Sequence, residues 1–326
     1  MKTKTLILLF TLIFSLPLAS REAAFYNNDY EISLAYNDTA FPGDAVFVKM
    51  KFLQAKKSAA SREEFAKTTG HLELYLDGKL LSKSEFYTLP DECSKGKLVL
   101  LTGIPLSSWW TEKDGYSLKV VYDLYGKQSY EFNLPFNIQN KEFVSETIEL
   151  NAQNTGIKTD TSPERMTQIE KLNSILNTVT PSSVYQTKAF TAPTTATRRT
   201  SFFADRRVYA YSNGKSSTSL HYGIDYGIPE GSTVTSCADG KVVLAEFRIS
   251  TGWSIVIEHL PGLYSLYYHL SSMNVKEGDM VKAGAEIGKS GSTGLATGPH
   301  LHWEMRLNMS AVSPDFFTGD FAFADF

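Results

Sequence analysis

His300-Leu301-His302-Trp303-Glu304-Met305-Arg306 alternates polar and apolar residues without a break. A period of two is the repeat of a β-strand, so this stretch directs both imidazoles to one face and Leu301 and Trp303 to the other. Further upstream, His221-Tyr222-Gly223-Ile224-Asp225 sets a histidine and a carboxylate four residues apart. Gly223, Gly227 and Pro229 argue against a helix there, and in an extended chain residues four apart again share a face. Five of the six histidines, His221, His259, His269, His300 and His302, fall within 82 residues; His71 is the outlier. Imidazole is the side chain used most often for both metal ligation and proton transfer near neutral pH. Two short strands with polar groups on one face can together supply three ligands of tetrahedral Zn²⁺ and leave the fourth position to water, as catalytic zinc requires. Nitrogen and carboxylate ligands without thiolate favour Zn²⁺ over an iron–sulfur centre, while Mn²⁺, Co²⁺ and Fe²⁺ accept the same ligand types.

The remainder of the chain supports a mainly β reading. It has 326 residues, room for two domains of roughly 150 residues and a connector. With 42% hydrophobic and 13% aromatic residues, it is not a disordered chain. The 17 Tyr and 20 Phe, with Val, Ile and Thr in short runs, favour strands. Lys and Arg number 32 against 35 Asp and Glu, a net charge of -3, which gives no electrostatic pull toward nucleic acid or anionic lipid. Nucleic acid is not an expected partner. Lys2 and Lys4 precede an apolar run from Leu6 to Leu18 that ends in Ala19 and Ser20, the pattern of a secretory signal over residues 1–20. The run is shorter than the roughly 20 residues that span a bilayer. The expectation is an exported chain of a bacterial periplasm, envelope or exterior, with no stable membrane insertion after signal removal. Cys93 and Cys237 lie far apart and read as small apolar residues rather than a disulfide framework.

Residues 25–140 form runs separated by turn residues: Glu31 to Tyr36, Ala45 to Leu53, Leu72 to Leu76, Lys97 to Thr102, Ser117 to Leu124 and Ser129 to Phe136. Pro42-Gly43-Asp44, Asp77-Gly78, Asp114-Gly115 and Tyr125-Gly126-Lys127 fall between them. About seven strands predict an immunoglobulin-like β-sandwich. Trp109-Trp110 reads as one core aromatic and one exposed neighbour. Residues 141–200 read as a connector with one helix at about 163–179, started by Ser162-Pro163-Glu164 and carrying Met166, Ile169, Leu172, Leu176 and Val179 at helical spacing. Thr187 to Thr200, rich in Thr and Ala, reads as a surface linker. The domain with the histidines occupies 201–326.

Its motifs run in a fixed order: His221-Tyr222-Gly223-Ile224-Asp225, Gly231-Ser232-Thr233-Val234, Ala238-Asp239-Gly240-Lys241-Val242, Tyr267-Tyr268-His269-Leu270, Val275-Lys276-Glu277-Gly278, Gly288 to Gly294, and Gly298-Pro299-His300-Leu301-His302. Over about 200–310 this resembles the lysostaphin-type (LytM-like) zinc endopeptidases. The resemblance implies an antiparallel β-sheet lining a groove, with the peptide part of peptidoglycan as substrate. It implies one Zn²⁺ held by His221, Asp225 and His302, with His269 and His300 as non-ligand catalytic histidines. Family members that have lost ligands act as activators of other wall hydrolases, so a non-catalytic peptidoglycan-binding activator is the alternative; here all five positions are filled. One departure stands out: Ala204, in Phe203-Ala204-Asp205-Arg206-Arg207, occupies a common glycine position and is expected to touch no ligand.

Other readings are plainer. His259, in Val256-Ile257-Glu258-His259-Leu260, is expected to be an ordered structural histidine. The glycine-rich run from Gly288 to Gly298 lacks the ending of a phosphate loop and is expected to shape the groove. At least two of Tyr264, Tyr267 and Tyr268 are expected to be packing residues. Because every proposed ligand and proton carrier follows Ser201, the first 180 residues are expected to be dispensable for chemistry. The sequence names no protein partner for the N-terminal domain.

Overall fold

Left-handed turn residues set where the N-terminal strands end. Asp77-Gly78 holds φ values of 50° and 76° in a two-residue hairpin loop, and Tyr125-Gly126 holds 58° and 66° in a three-residue one, left-handed backbone whose twist matches the flanking strands. The computed structural model describes residues 4–5, 21–26, 30–56 and 61–319; apart from residues 4–5, the proposed signal segment lies outside them. The chain divides into two units, within residues 1–141 and 142–324.

The first unit contains β1 (Arg21–Tyr26), β2 (Tyr30–Tyr36), β3 (Ala45–Gln54), β4 (Thr69–Leu76), β5 (Lys79–Glu85), β6 (Lys97–Pro105), β7 (Tyr116–Leu124) and β8 (Gln128–Pro135). One antiparallel sheet runs β8–β7–β4–β5 and the other β1–β2–β3–β6, with short strands at Lys4–Thr5 and Tyr87–Thr88 adding one strand to each. The six runs read from sequence are strands. Strict alternation on β7 buries Leu118, Val120 and Tyr122 in one cluster with Ile32, Leu34, Met50 and Phe52 of the other sheet. The sequence reading missed β5, whose Lys79, Lys83 and Glu85 mark a polar strand paired on one side only. Trp110 packs 6.0 Å from the Tyr116 ring, and Trp109 is exposed.

The second unit begins with β9 (Ser145–Glu149), α1 (Ala152–Thr159) and α2 (Pro163–Leu176). The Ser162 side chain accepts from Arg165 N and caps α2, with Pro163 at the first helical position. α2 packs Leu176, with Leu172 and Ile175, against Leu244, Val256 and Tyr264. It ends before Val179, and both Val179 and Met166 are exposed, so the buried stripe is narrower than the sequence spacing suggests. α1 was not foreseen. Its sequence, AQNTGIKT, contains a glycine and few apolar residues, and the cap comes from Asn151.

The stretch expected as a connector packs within this unit. β9 pairs in parallel with β11 (Arg206–Ala210), and β11 pairs with β12 (Ser216–Leu220). Phe190, in the expected linker, is buried, and Thr191 N and Pro193 O bond to Cys237 O and Thr235 N. An eight-stranded sheet then orders β10 (Arg199–Ser201), β13 (Gly223–Tyr226), β17 (Leu301–Leu307), β16 (Leu263–Leu270), β15 (Gly252–Leu260) and β14 (Gly240–Arg248). Met280–Val281 pairs outside β14, and Ser310–Val312 pairs with β17. Tyr264, Tyr267 and Tyr268 are all buried on β16, and both cysteines are free.

Gly223 sets the approach of β13 to β17. A Cβ there would lie 2.2 Å from the Trp303 carbonyl oxygen, 2.8 Å from its carbon and 2.9 Å from Glu304 Cγ, so the paired backbone itself would have to shift. Gly223→Ala is expected to cost about 1–3 kcal/mol through overpacking and to lower the thermal midpoint and bound metal together. An unchanged midpoint in thermal unfolding would show that this contact is not tight.

Candidate active site

β13 and β17 pair so that Asp225 stands directly opposite His302. This register brings together the two motifs, 77 residues apart between those two side chains. His221 precedes β13 and is fixed at its backbone, where His221 N donates to Asp205 O at 2.9 Å and His221 O accepts from Ala204 N at 2.7 Å. Its Nδ1 lies 2.7 Å from the Phe202 carbonyl oxygen. A carbonyl only accepts, so Nδ1 carries the proton and Nε2 presents a lone pair inward. His302 lies with Nε2 3.0 Å from Glu304 Oε1, and Arg306 Nε donates to the other Glu304 oxygen at 2.7 Å.

Three ligand atoms therefore converge. Asp225 Oδ1 is 3.1 Å from His221 Nε2 and 2.7 Å from His302 Nδ1, and the two nitrogens are 2.9 Å apart. All three residues are buried, and their ligand atoms lie within 4.8 Å of one another. With the outer nitrogens handing their protons to Phe202 and Glu304, two lone pairs and a carboxylate oxygen share one small space, a donor set that fits a divalent cation. Burial opposes charge on Asp225, but the His221 and His302 imidazoles packed against it hold its carboxyl well below the usual range. Burial opposes charge on His302 too, yet Asp225 and Glu304 push it up to about 9, so an entering cation displaces a proton.

The second Asp225 oxygen is committed elsewhere. Arg207 Nη2 donates to Oδ2 at 3.1 Å, and Arg207 Nε donates to Glu146 Oε1 at 2.7 Å. Glu146, on β9, thus orients the guanidinium that orients the carboxylate.

His269 and His300 flank this cluster with ring centroids 4.6 Å apart. Nδ1 of His269 donates to Thr293 O at 2.7 Å, and Nδ1 of His300 donates to Gly298 O at 2.8 Å. Each therefore turns an unprotonated Nε2 inward, and that of His300 is 3.9 Å from Asp225 Oδ1. Burial, then the neighbouring His300 and His302, push His269 down to about 3; burial also lowers His300. Both are neutral proton acceptors. The backbone of His269 is held at φ 61° by its N–H bond to Thr251 O at 2.8 Å, the kind of local strain that over-determined functional sites retain.

All five residues singled out in the sequence line one open groove of about 570 Å³. His259 is separate: it is fully buried, bonded to Asp239 O and Ser265 Oγ, and pushed down to about 4 by burial. Residues Leu295 to His300, at the end of the glycine-rich run, line the groove. Ala204 departs from expectation. It sits buried at φ 64° and bonds the backbone of His221, so it does support a proposed ligand; an alanine in the left-handed region carries a cost of about 1–2 kcal/mol that glycine would avoid.

The sequence reading missed Glu304, Arg207 and Glu146. Period two from His302 places Glu304 on the ligand face, a signal that was present. Arg207 had no such signal beside Arg206, which turns to the Phe143 ring instead. Nor are the residues before Ser201 dispensable to this geometry: Glu146, Ile148, Leu150 and Lys158 line the groove. Asn154 Nδ2 holds Ala296 O at 3.0 Å, Arg165 Nε holds Ser250 Oγ at 3.0 Å, and Gln168 Oε1 holds Ile249 N at 2.8 Å.

A buried two-histidine, one-carboxylate cluster beside two unliganded imidazoles, open to a groove on an antiparallel sheet, defines a metallohydrolase type of centre. Residues 219–314 match the family model of peptidase family M23. The chain is 44% identical over 95 residues to the DD-carboxypeptidase/endopeptidase Mpg of Neisseria meningitidis serogroup B, covering 29% of this chain and 22% of that protein. It is 44% identical over 90 residues to the glycyl-glycine endopeptidase ALE-1 of Staphylococcus capitis, covering 27% and 25%. The chain thus spans about a quarter of the length of these relatives. Its fold is shared with a crystal structure from Pseudomonas aeruginosa assigned to peptidase M23, with a TM-score of 0.54 and 19% identity over 86% of this chain and 95% of that one.

Separate roles separate the variants. His221→Ala, Asp225→Ala and His302→Ala are expected to lose bound metal, whereas His269→Ala keeps it, as elemental analysis would show. Metal loss in His269→Ala with full occupancy in Asp225→Ala would overturn the assignment. Arg207→Met and Glu146→Gln are expected to weaken metal binding by about 10–100-fold in competition with a chelator.

Proposed function

We propose that this chain is an exported, zinc-dependent endopeptidase that hydrolyses amide bonds in the peptide part of peptidoglycan, at cross-links or in stem peptides. One observation carries the reading. Four imidazoles, each with its outer N–H on a fixed acceptor, gather around one carboxylate in an open groove. The endopeptidase names of these relatives support the reaction class, and a relative 42% identical over 85 residues, the peptidoglycan DD-endopeptidase ShyB of Vibrio cholerae, supports the wall substrate.

His221 Nε2, Asp225 Oδ1 and His302 Nδ1 would hold the zinc; two imidazoles and one carboxylate leave it a net charge near +1. Bound there, zinc supplies a Lewis acid that acidifies a water and polarises a carbonyl. The protein's own residues do the rest. His269 and His300 arrive neutral, with Nδ1–H fixed on a carbonyl, so neither has an inward proton to give at the outset. The first act of either is to accept one at Nε2, from the attacking water. The imidazole that accepts then carries the inward N–H that stabilises the developing oxyanion or is passed to the leaving amine. Tyr268, stacked on His302 at 5.5 Å, keeps that ring from rotating away from Asp225.

Mass spectrometry of material released from purified peptidoglycan by the zinc-loaded protein tests this directly. New amino and carboxyl ends at one class of amide bond are expected, with release falling about 10²- to 10⁴-fold in His269→Ala at unchanged zinc. No release by a fully zinc-loaded chain would favour a non-catalytic wall-binding role instead.

A further inference from the structure

Lys158 closes the last turn of α1 and lines the groove together with Glu146, Ile148, Arg207 and Tyr209. Its ammonium rests 4.1 Å above the Tyr209 ring, and among the described residues no carboxylate pairs with it. The acids that line the groove are engaged elsewhere. Glu146 accepts from Arg207, Asp225 accepts from Arg207 and faces the ligand histidines, and Glu304 accepts from Arg306 and His302. Its charged neighbours are Arg165 and Arg207, both cations; burial and then these two lower its pKa. A half-buried cation among cations is held at a cost that an incoming anion relieves.

Its place in the groove follows from strand register. Arg207 and Tyr209 are two apart on β11, so they share a face about 7 Å apart. Arg207 holds the Asp225 carboxylate, and Lys158 stands over Tyr209. The cation is therefore displaced by about one two-residue repeat from the ligand cluster, along the wall that an extended peptide would follow.

We propose that Lys158 is a specificity residue that binds a carboxylate of the substrate peptide about two residues from the amide that is cut. This rests on the peptidase reading above and narrows it to acidic peptides. The carboxylate belongs either to the peptide's C-terminus or to an acidic side chain; the chemistry at Lys158 is the same.

The test uses the zinc-loaded full chain and three synthetic forms of one peptidoglycan stem peptide: the free acid, its C-terminal amide, and the form with its side-chain carboxylate amidated. Equilibrium binding is read by calorimetry, and kcat and KM by product formation. Removing the recognised carboxylate is expected to raise Kd and KM by about tenfold or more, the size of a charge-assisted hydrogen bond, and whichever amide does so identifies the source. Lys158→Met, which keeps the stem over Tyr209, is expected to erase that preference while kcat on the amide stays within about twofold; Lys158→Arg is expected to restore most of it. Equal binding and cleavage of all three peptides by the wild type would overturn the proposal and leave the peptidase reading intact. So would an equal fall in kcat on all three peptides in Lys158→Met. A carboxylate preference in binding without hydrolysis would uphold the recognition and overturn the peptidase reading. Binding of none of the three would overturn both.

Discussion

An imidazole can aim one lone pair at a fixed point only if its other nitrogen gives its proton to something that does not move. The site in this chain depends on that constraint four times over. Phe202, Thr293 and Gly298 supply backbone carbonyls to His221, His269 and His300, and Glu304 supplies a carboxylate to His302. Carbonyls cannot donate, so the tautomers are set by the backbone. Each acceptor must then itself be held. Phe202 N is bonded to the Asp205 carboxylate, and Thr293 Oγ1 both donates to Leu270 O and accepts from Trp253 N. Glycine allows the close approaches: a Cβ on Gly252 would lie 2.0 Å from Thr293 Oγ1. Fold and chemistry meet in these second partners rather than in the ligands themselves.

Charge is arranged with the same economy. Asp225 has two oxygens and opposite duties for them. Oδ1 faces the imidazole nitrogens, and Oδ2 is taken by Arg207, whose own position is fixed by Glu146. Arg306 plays the matching part for Glu304. The two carboxylates that touch the ligand imidazoles are thus each paired with a guanidinium, whose planar fork suits that geometry better than a lysine would. A buried charge left without its partner would be costly, so these pairs let the site be both buried and charged.

Much of this could be read in the sequence, because most of it is local and periodic. The alternation after His300 gave the strand and the face, and Gly223, Gly227 and Pro229 argued against a helix at His221. Strict alternation on Tyr116–Leu124 and the turns Asp77-Gly78 and Tyr125-Gly126 gave the N-terminal sheets their strands. What could not be read is non-local or weakly patterned. Lys79–Glu85 is a polar edge strand without an apolar face, and Ala152–Thr159 is a helix with little propensity, held by its cap and by tertiary contacts. Ala204 carries a left-handed φ that its identity hides; only the glycine usual at that place in the family pointed to it. Arg207 and Glu146 meet through a parallel pairing of strands about 60 residues apart, which no spacing rule announces.

That pairing bears on what counts as the catalytic unit. The family match covers residues 219–314 and includes all five residues with a proposed chemical role. Yet the carboxylate of Asp225 is oriented from Arg207 and Glu146, the turn that carries Thr251 is held from Arg165 and Gln168, and the loop before His300 is held from Asn154. All five of these supporting residues precede the matched segment. The groove has the same division: its floor comes from the shared sheet, and one wall comes from β9, α1 and the turn between them, which present Glu146, Ile148, Leu150 and Lys158. Residues that hold reacting groups are constrained by the chemistry, whereas a wall built from a preceding segment can change without disturbing it. A common metal centre can therefore serve different peptides, with discrimination placed where the strand before the domain meets the groove.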